Sequence, residues 1–328
     1  MDAIEPAMAP STQPAVSVIV PVYNDPSGLL ETLESLVDQT HPSYEVIVVD
    51  NDSDDETLAV ARSVADSHPE FVRVEREREI QSSYAARNTG IRAASGEILA
   101  FVDADVTVDA DFLEAGVSAM RSRDAAYLGC RVDVALEERV IVGLYNAITG
   151  FPVERYVEEN RFAPTCALFV RRDLVEDVGA FDNRLASGGD TEFGQRVAAS
   201  GRDLHYAPDV RAEHPARATL RSLLRKRVRI GRGITQRASL YPDRYDAPPL
   251  WHPIGYLPPH PGRFRRSVAE PRDDLTASET VGLYCVAYLE RLAETTGRAL
   301  ERLDELASTR ESDGESNVTP SPIESRDY

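Results

Sequence analysis

The chain has 328 residues and a formal net charge of −19, set by 55 Asp and Glu against 36 Lys and Arg. That length allows one large domain with a sizeable core and appendages, and the sign of the charge argues against a nucleic-acid partner. A single lysine, Lys226, stands among the basic residues; this suits a protein kept soluble in strong salt, where self-repulsion is screened, although a GC-rich genome would also exchange lysine for arginine.

The cysteines Cys130, Cys166 and Cys285 show neither close pairing nor metal-type spacing and read as buried thiols of a reducing, cytoplasmic protein. Residues 1–14, rich in proline and small polar residues, do not read as a signal peptide. The longest apolar runs, 16–22 and 281–289, fall short of the ~20 residues that span a bilayer. Any membrane contact is expected to be peripheral, at the inner face.

In chain order, "VSVIVPVYN" (16–24) reads as a buried strand, and 25–39 as a helix with Asp25 at its N-cap, Pro26 in its first turn and an apolar stripe of Leu29, Leu33, Leu36 and Val37. A second strand, "YEVIVVD" (44–50), leads to a helix over 54–67. A third strand (71–75), a helix (83–94) and a fourth strand, "ILAFV" (98–102), follow. Strands apolar on both faces, alternating with amphipathic helices, predict a mostly parallel α/β sheet, which binds ligands beyond the carboxyl ends of its strands. Asn24, Asp50 and Asp103 fall at such ends.

Further on, 125–136 reads as a strand, 162–182 as a strand running into a helix, 188–201 as a short helix, and 204–214 as a strand with one exposed face. The 217–237 segment is basic. Pro-rich, aromatic sequence over 241–264 reads as an ordered loop packed on the domain or as a linker. Residues 276–306 look helical, and the remainder has a disordered composition.

The fourth strand ends in "VDAD", so Asp103 and Asp105 leave it together. Paired carboxylates there suit a hard cation such as Mg²⁺ or Mn²⁺, able to bridge a diphosphate and neutralise charge as it leaves. They also suit turn and cap positions before a helix beginning near Asp109.

The set "PVYN", "VVDNDSDDET", "AARNTGIRAASGEILAFVDAD" and "GGDTEFGQR", in this order over about residues 16–215, resembles the family 2 glycosyltransferases of the GT-A fold. The resemblance implies a glycosyltransferase that moves one sugar, with inversion and metal dependence, from a UDP-, GDP- or dTDP-linked donor to a saccharide or lipid-phosphate acceptor, as in lipid-linked or surface glycan assembly. It implies that Pro21, Val22, Tyr23 and Asn24 cradle the donor nucleotide, Asp50 contacts the base, and Arg87 and Asn88 lie near the nucleotide and diphosphate. Asp103 would touch ribose or metal, and Asp105 would ligate the metal. Asp190 falls at the catalytic base, where its other reading is a helix N-cap, and Glu192 fills the acidic position two residues on. His214 falls where relatives carry a histidine near the metal; it reads either as a ligand or as a solvent-facing or hydrogen-bonded side chain. Asn51 and Gly189 replace acids usual in the family, and the Gln-x-x-Arg-Trp element of processive synthases is absent.

Wound as a helix, 218–237 puts Arg221, Arg225, Arg229 and Arg232 on one face and Arg227 inside the apolar sector. These arginines either pair with the acidic surface or, through Arg225 and Arg227, receive an anionic acceptor or close over the diphosphate. The expected organisation is a tail (1–14), a GT-A domain (15–237), a C-terminal Pro/aromatic and helical extension (238–306) and an acidic tail (307–328). Two rivals share such strand-end acids: a sugar nucleotidyltransferase, whose basic glycine-rich loop "PVYNDPSG" lacks, and a non-catalytic nucleotide-binding scaffold, for which loss of Asp105 or Asp190 is the expected signature.

Overall fold

The structure, a computed structural model, describes residues 14–269 and 274–315, so most of both expected tails lies outside the described residues. Its eight strands are β1 (Val16–Val22), β2 (Tyr44–Asp50), β3 (Val72–Arg76), β4 (Ile98–Val102), β5 (Thr107–Val108), β6 (Tyr127–Ala135), β7 (Ala167–Arg171) and β8 (His205–Pro215). They form one sheet in the order β3-β2-β1-β4-β7-β6-β8-β5. The first four pair in parallel, and every residue of β1 is buried, as expected of a strand covered on both faces. The sheet then becomes mixed: β7 runs antiparallel to both β4 and β6, while β8 is parallel to β6.

The helices are α1 (Pro26–Val37), α2 (Thr57–Ser67), α3 (Ser83–Ala93), α4 (Phe112–Ser122), α5 (Ile141–Thr149), α6 (Val153–Asn160), α7 (Arg172–Val178), α8 (Gly189–Ala199), α9 (Leu220–Leu240), α10 (Pro261–Phe264) and α11 (Ala277–Glu315). Asp25 caps α1 by accepting a hydrogen bond from Gly28 N at 3.0 Å. The main core holds the sheet between its helices, and a second, smaller core joins Leu144 and Tyr145 of α5, Leu223 of α9, Phe264 and Val268, and Leu283 and Val286 of α11.

Three expectations change. The last helix continues past 306 to Glu315. The two-residue β5 and the helices α5 and α6 had no reading in the sequence. Cys285 is exposed, whereas Cys130 and Cys166 are buried; Cys285 lies on the outer face of α11. Among the described residues, no helix is long and apolar enough to cross a membrane.

Residues 241–264 pack against α11 through hydrogen bonds to their backbone, including Tyr284 Oη to the Pro259 carbonyl at 2.7 Å. Helices α9 and α11 cross at near backbone contact. A Cβ on Gly231 would meet the Glu294 carbonyl oxygen at 2.1 Å, and one on Gly297 would meet the Val228 carbonyl oxygen at 2.0 Å. Backbone cannot yield there as a flexible side chain would. Gly231→Leu and Gly297→Leu are each expected to lower unfolding free energy by about 1–3 kcal/mol, read from denaturant midpoints, whereas Thr296→Ala on the exposed face of α11 stays within about 0.5 kcal/mol of the parent.

Candidate active site

A cleft of about 510 Å³ opens beyond the ends of β1 and β4, bounded by Pro21, Val22, Tyr23, Asp103 and Asp105, by Asp190 at the start of α8, and by cationic residues of α9. A smaller cleft of about 350 Å³ adjoins it, lined by Pro21, Val22, Tyr23, Asn51, Ser82 and Arg229 among others. The parallel half of the sheet thus delivers its strand ends to one rim, as such sheets do.

Two structural links set the acids. Helix α3 is capped by Ser82, whose side chain accepts from Tyr84 N, and it presents the buried Arg87, which ion-pairs with Asp103. The β5–β8 bridge pairs Thr107 with Glu213 and Val108 with Ala212, drawing the loop after β4 onto the end of β8. His214 is on the buried face of that strand, only 6% exposed, with Nε2 at 3.5 Å from Asp105 Oδ2. A carbonyl can only accept, so the 2.8 Å contact of His214 Nδ1 with the Pro215 oxygen requires a proton on Nδ1. In the neutral imidazole this leaves the Nε2 lone pair directed toward Asp105. Burial, then the charge of Asp103, raises the Asp105 carboxyl above the usual range, against the opposing pull of His214 and Arg217.

Asp105 and His214 converge as one oxygen and one nitrogen donor. Asp103 beside them is engaged by Arg87 but keeps a third of its surface. Among the described residues no group of three His, Cys, Asp or Glu is arranged to hold a metal. The residues therefore do not form an all-protein cage. They fit a cation that takes one or two protein donors and fills its shell with water and substrate phosphate, as Mg²⁺ and its close analogues do.

Asp190 sits in the first turn of α8, where burial raises its carboxyl and Arg87 and Arg237 oppose the shift. It is not the N-cap: Gly188, with φ at +82°, holds that place, a left-handed conformation that favours glycine. Gly189, which replaces an acid usual in the resemblance, packs on the Tyr84 ring, 2.8 Å from where a Cβ would stand. An acidic side chain there would have to displace the ring.

Several expected contacts are placed elsewhere. Asp50 has no exposed side-chain surface and accepts from Arg76 Nε at 3.3 Å and from Ser53 N at 3.3 Å, so it is sealed beneath the loop, and Asn51 lines the cleft instead. Asn24, at φ +51°, brackets Asp54 with Nδ2 donating to Asp54 Oδ1 at 2.6 Å. Asn88 spends both ends of its amide on the Phe181 backbone, at 2.8 and 3.0 Å. Glu192 is 1% exposed and held by Arg196 at 2.8 Å and Arg244 at 3.3 Å, away from the lining of the cleft. Arg225 is exposed and outside the cleft. Arg227 does line it, yet it pairs with Glu290 at 2.9 Å and Glu294 at 3.6 Å, and Arg232 pairs with Glu301 and Asp304. Of the arginine face, Arg232 pairs with acids of α11, as does Arg227 from the apolar sector.

Four cations face the cleft without an ion pair among the described residues, Arg217, Lys226, Arg229 and Arg237; the sequence reading placed Arg229 on a helix face and gave the other three no role. Lys226 is brought down to about 8 by burial, then by Arg217 and Arg227, and its ammonium stands 5.2 Å from the centre of the Phe151 ring. Being the one lysine of the chain was its only signal. Arg87 Nε, Arg217 Nε and Arg237 Nε are buried without a hydrogen-bond partner among the described residues, so this wall carries spare donors for anionic oxygens.

The family model for glycosyl transferase family 2 matches residues 17–179. Glycosyltransferase AglE of Haloferax volcanii is 38% identical over 296 residues, covering 88% of this chain and 96% of that protein. In fold, the chain is similar to the mannosyltransferase PcManGT from Pyrobaculum calidifontis, solved with GDP-Man and Mn²⁺, at a TM-score of 0.60 and 22% identity over 90% of this chain and 89% of that one. It is also similar to S. aureus TarS residues 1–349 in complex with UDP, at 0.51 and 19% over 88% and 91%. Match, identity and coverage agree with the GT-A arrangement of strands and strand-end acids: the chain belongs to glycosyl transferase family 2 and is a glycosyltransferase that takes its sugar from a nucleotide-sugar donor.

Proposed function

We propose that the chain transfers one sugar, with inversion and with a divalent cation bound, from a nucleotide sugar lying across the two adjoining clefts to an acceptor hydroxyl or phosphate at the cationic end of the larger one. The observation that carries this reading is the convergence in one cleft of Asp103, Asp105 and His214 on one side and Asp190 on another, with spare cationic donors between and behind them.

In this reading the nucleoside lies along Pro21, Val22, Tyr23 and Asn51. Arg87 holds Asp103 toward the ribose. Asp105 and His214 would hold Mg²⁺ or Mn²⁺, which when bound neutralises charge on the departing diphosphate. Arg229 and Arg237 add hydrogen bonds to the same oxygens as negative charge grows there. Asp190 accepts the acceptor's proton as the acceptor oxygen bonds to the anomeric carbon and the bond from that carbon to the diphosphate oxygen breaks on the opposite face. Mn²⁺ in the PcManGT complex supports the metal, and GDP-Man and UDP in the solved neighbours support a nucleotide donor. The acid-rich, lysine-poor composition supports a salt-loving host, and the cationic wall supports an anionic acceptor such as a lipid phosphate.

Nucleotide release from a panel of UDP-, GDP- and dTDP-sugars at high KCl, with and without Mn²⁺ or Mg²⁺, tests the reading. Turnover of one donor only with metal present is expected, with slow hydrolysis when no acceptor is added. Asp190→Asn should lower turnover by roughly 10²–10⁴-fold while leaving nucleotide affinity by calorimetry unchanged. Asp105→Ala should weaken nucleotide binding only in the presence of metal. Metal-independent turnover, or an active Asp190→Asn enzyme, would contradict the assignment.

Because burial raises Asp190 and the ionised form must accept the proton, activity should fall on the acid side with a midpoint above the ordinary aspartate range near 4. A flat acid limb down to that range would remove Asp190 from the role.

A further inference from the structure

We propose that the surface formed by residues 251–257 and the arginines that follow is a docking face for an anionic lipid bilayer. In this loop Trp251 is 79% exposed, Ile254 53%, Tyr256 48% and Leu257 57%. Isolated exposed apolar residues are ordinary on protein surfaces, but four within seven positions of one loop are a patch.

The loop does not present them for want of order. Helix α11 fixes its backbone: Thr295 Oγ1 donates to the Gly255 carbonyl at 3.0 Å, Tyr288 Oη to Tyr256 at 2.9 Å and Arg291 Nη1 to Leu257 at 3.0 Å. The apolar side chains are therefore held outward, where they cannot relieve their exposure by folding back.

Immediately after the loop, Phe264 and Val268 are buried in the smaller core and act as anchors. Between and beside them Arg263, Arg265 and Arg266 are exposed, and none makes an ion pair among the described residues. This is unlike Arg227 and Arg232 of α9, which pair with acids of α11, and Arg139, which pairs with Asp274 and Glu279 at 2.8 Å each. In a chain of net charge −19, a cationic strip without an ion pair among the described residues, beside an apolar loop, is the side that an anionic surface attracts, while acidic surface is repelled. Trp and Tyr with polar tips, aliphatic residues and arginines are the composition that settles at the headgroup boundary. Glu290 lines the cleft while Arg291, the next residue, holds the loop, so one helix ties the docking face to the site.

Trp251 is the sole tryptophan of the chain, so tryptophan emission, excited selectively over the tyrosines, reports on this loop alone. Phosphatidylglycerol vesicles should shift its emission to the blue and carry the protein into the vesicle pellet at about 0.15 M KCl and, more weakly, at about 1 M KCl, where the Debye length falls from about 8 to 3 Å. Phosphatidylcholine vesicles should leave both readouts unchanged at the lower salt. Ile254→Ser with Leu257→Ser should weaken binding at least about tenfold at both salts. Arg263→Gln with Arg265→Gln and Arg266→Gln should do so at the lower salt only. Both variants should retain the parent's circular dichroism and nucleotide-sugar hydrolysis, which separates failure of docking from failure of the catalytic reading. The inference is overturned by an unchanged emission with anionic vesicles, by an equal shift with neutral ones, or by a shift that follows protein concentration without vesicles and so marks a second copy of the chain.

Discussion

The site depends on a two-residue pairing. Thr107 and Val108 bridge antiparallel to β8, and this short β5 fixes where the chain goes after β4. Without it, Asp105 would belong to a free turn; with it, Asp105 stands 3.5 Å from His214, although more than a hundred residues separate the two in sequence. The Arg87–Asp103 pair provides the second restraint. A buried ion pair adds little to net stability and much to the geometry of its members. Here it holds one carboxylate of the pair to helix α3 and leaves the other to converge with the histidine.

The remainder of the chain encloses this arrangement. Helix α9 closes one side of the cleft and is itself held by α11 through glycine contacts and through the pairs of Arg227 and Arg232 with Glu290, Glu294, Glu301 and Asp304. Gly233 presses against the Ser187 carbonyl, so the position of α9 also sets the loop that leads into Asp190. The arginines divide by function according to partner: those matched with acids hold the helices together, and Arg217, Arg229 and Arg237 face the cleft. The C-terminal helix is therefore structurally continuous with the site and contributes Glu290 to its lining.

The parallel half of the sheet was legible because its strands are uniformly apolar and each is followed by a helix with clear start signals, such as Asp25 and Pro26. Asp103, Asp105 and Asp190 were legible because their strand-end and helix-start positions are local features. Asp50, Asn24, Asn88 and Glu192 also looked like ligands of the donor or acceptor, but their partners are distant: Arg76 covers Asp50, Phe181 occupies Asn88, and Arg196 and Arg244 enclose Glu192. No local pattern shows that a carboxylate is already satisfied. The same holds for β5, too short to show alternation, and for Lys226, whose lowered proton affinity arises from burial beneath neighbours contributed by other segments.

The convergence of Asp105 and His214 on one cation is the central claim, and pulsed electron paramagnetic resonance of Mn²⁺ bound with the cognate nucleoside diphosphate tests it most directly. Nitrogen modulation from a directly coordinated imidazole is predicted for the parent protein and should disappear in His214→Ala, with Mn²⁺ affinity falling further in Asp105→Ala. A Mn²⁺ signal without nitrogen coupling, or an affinity unchanged by Asp105→Ala, would contradict the account.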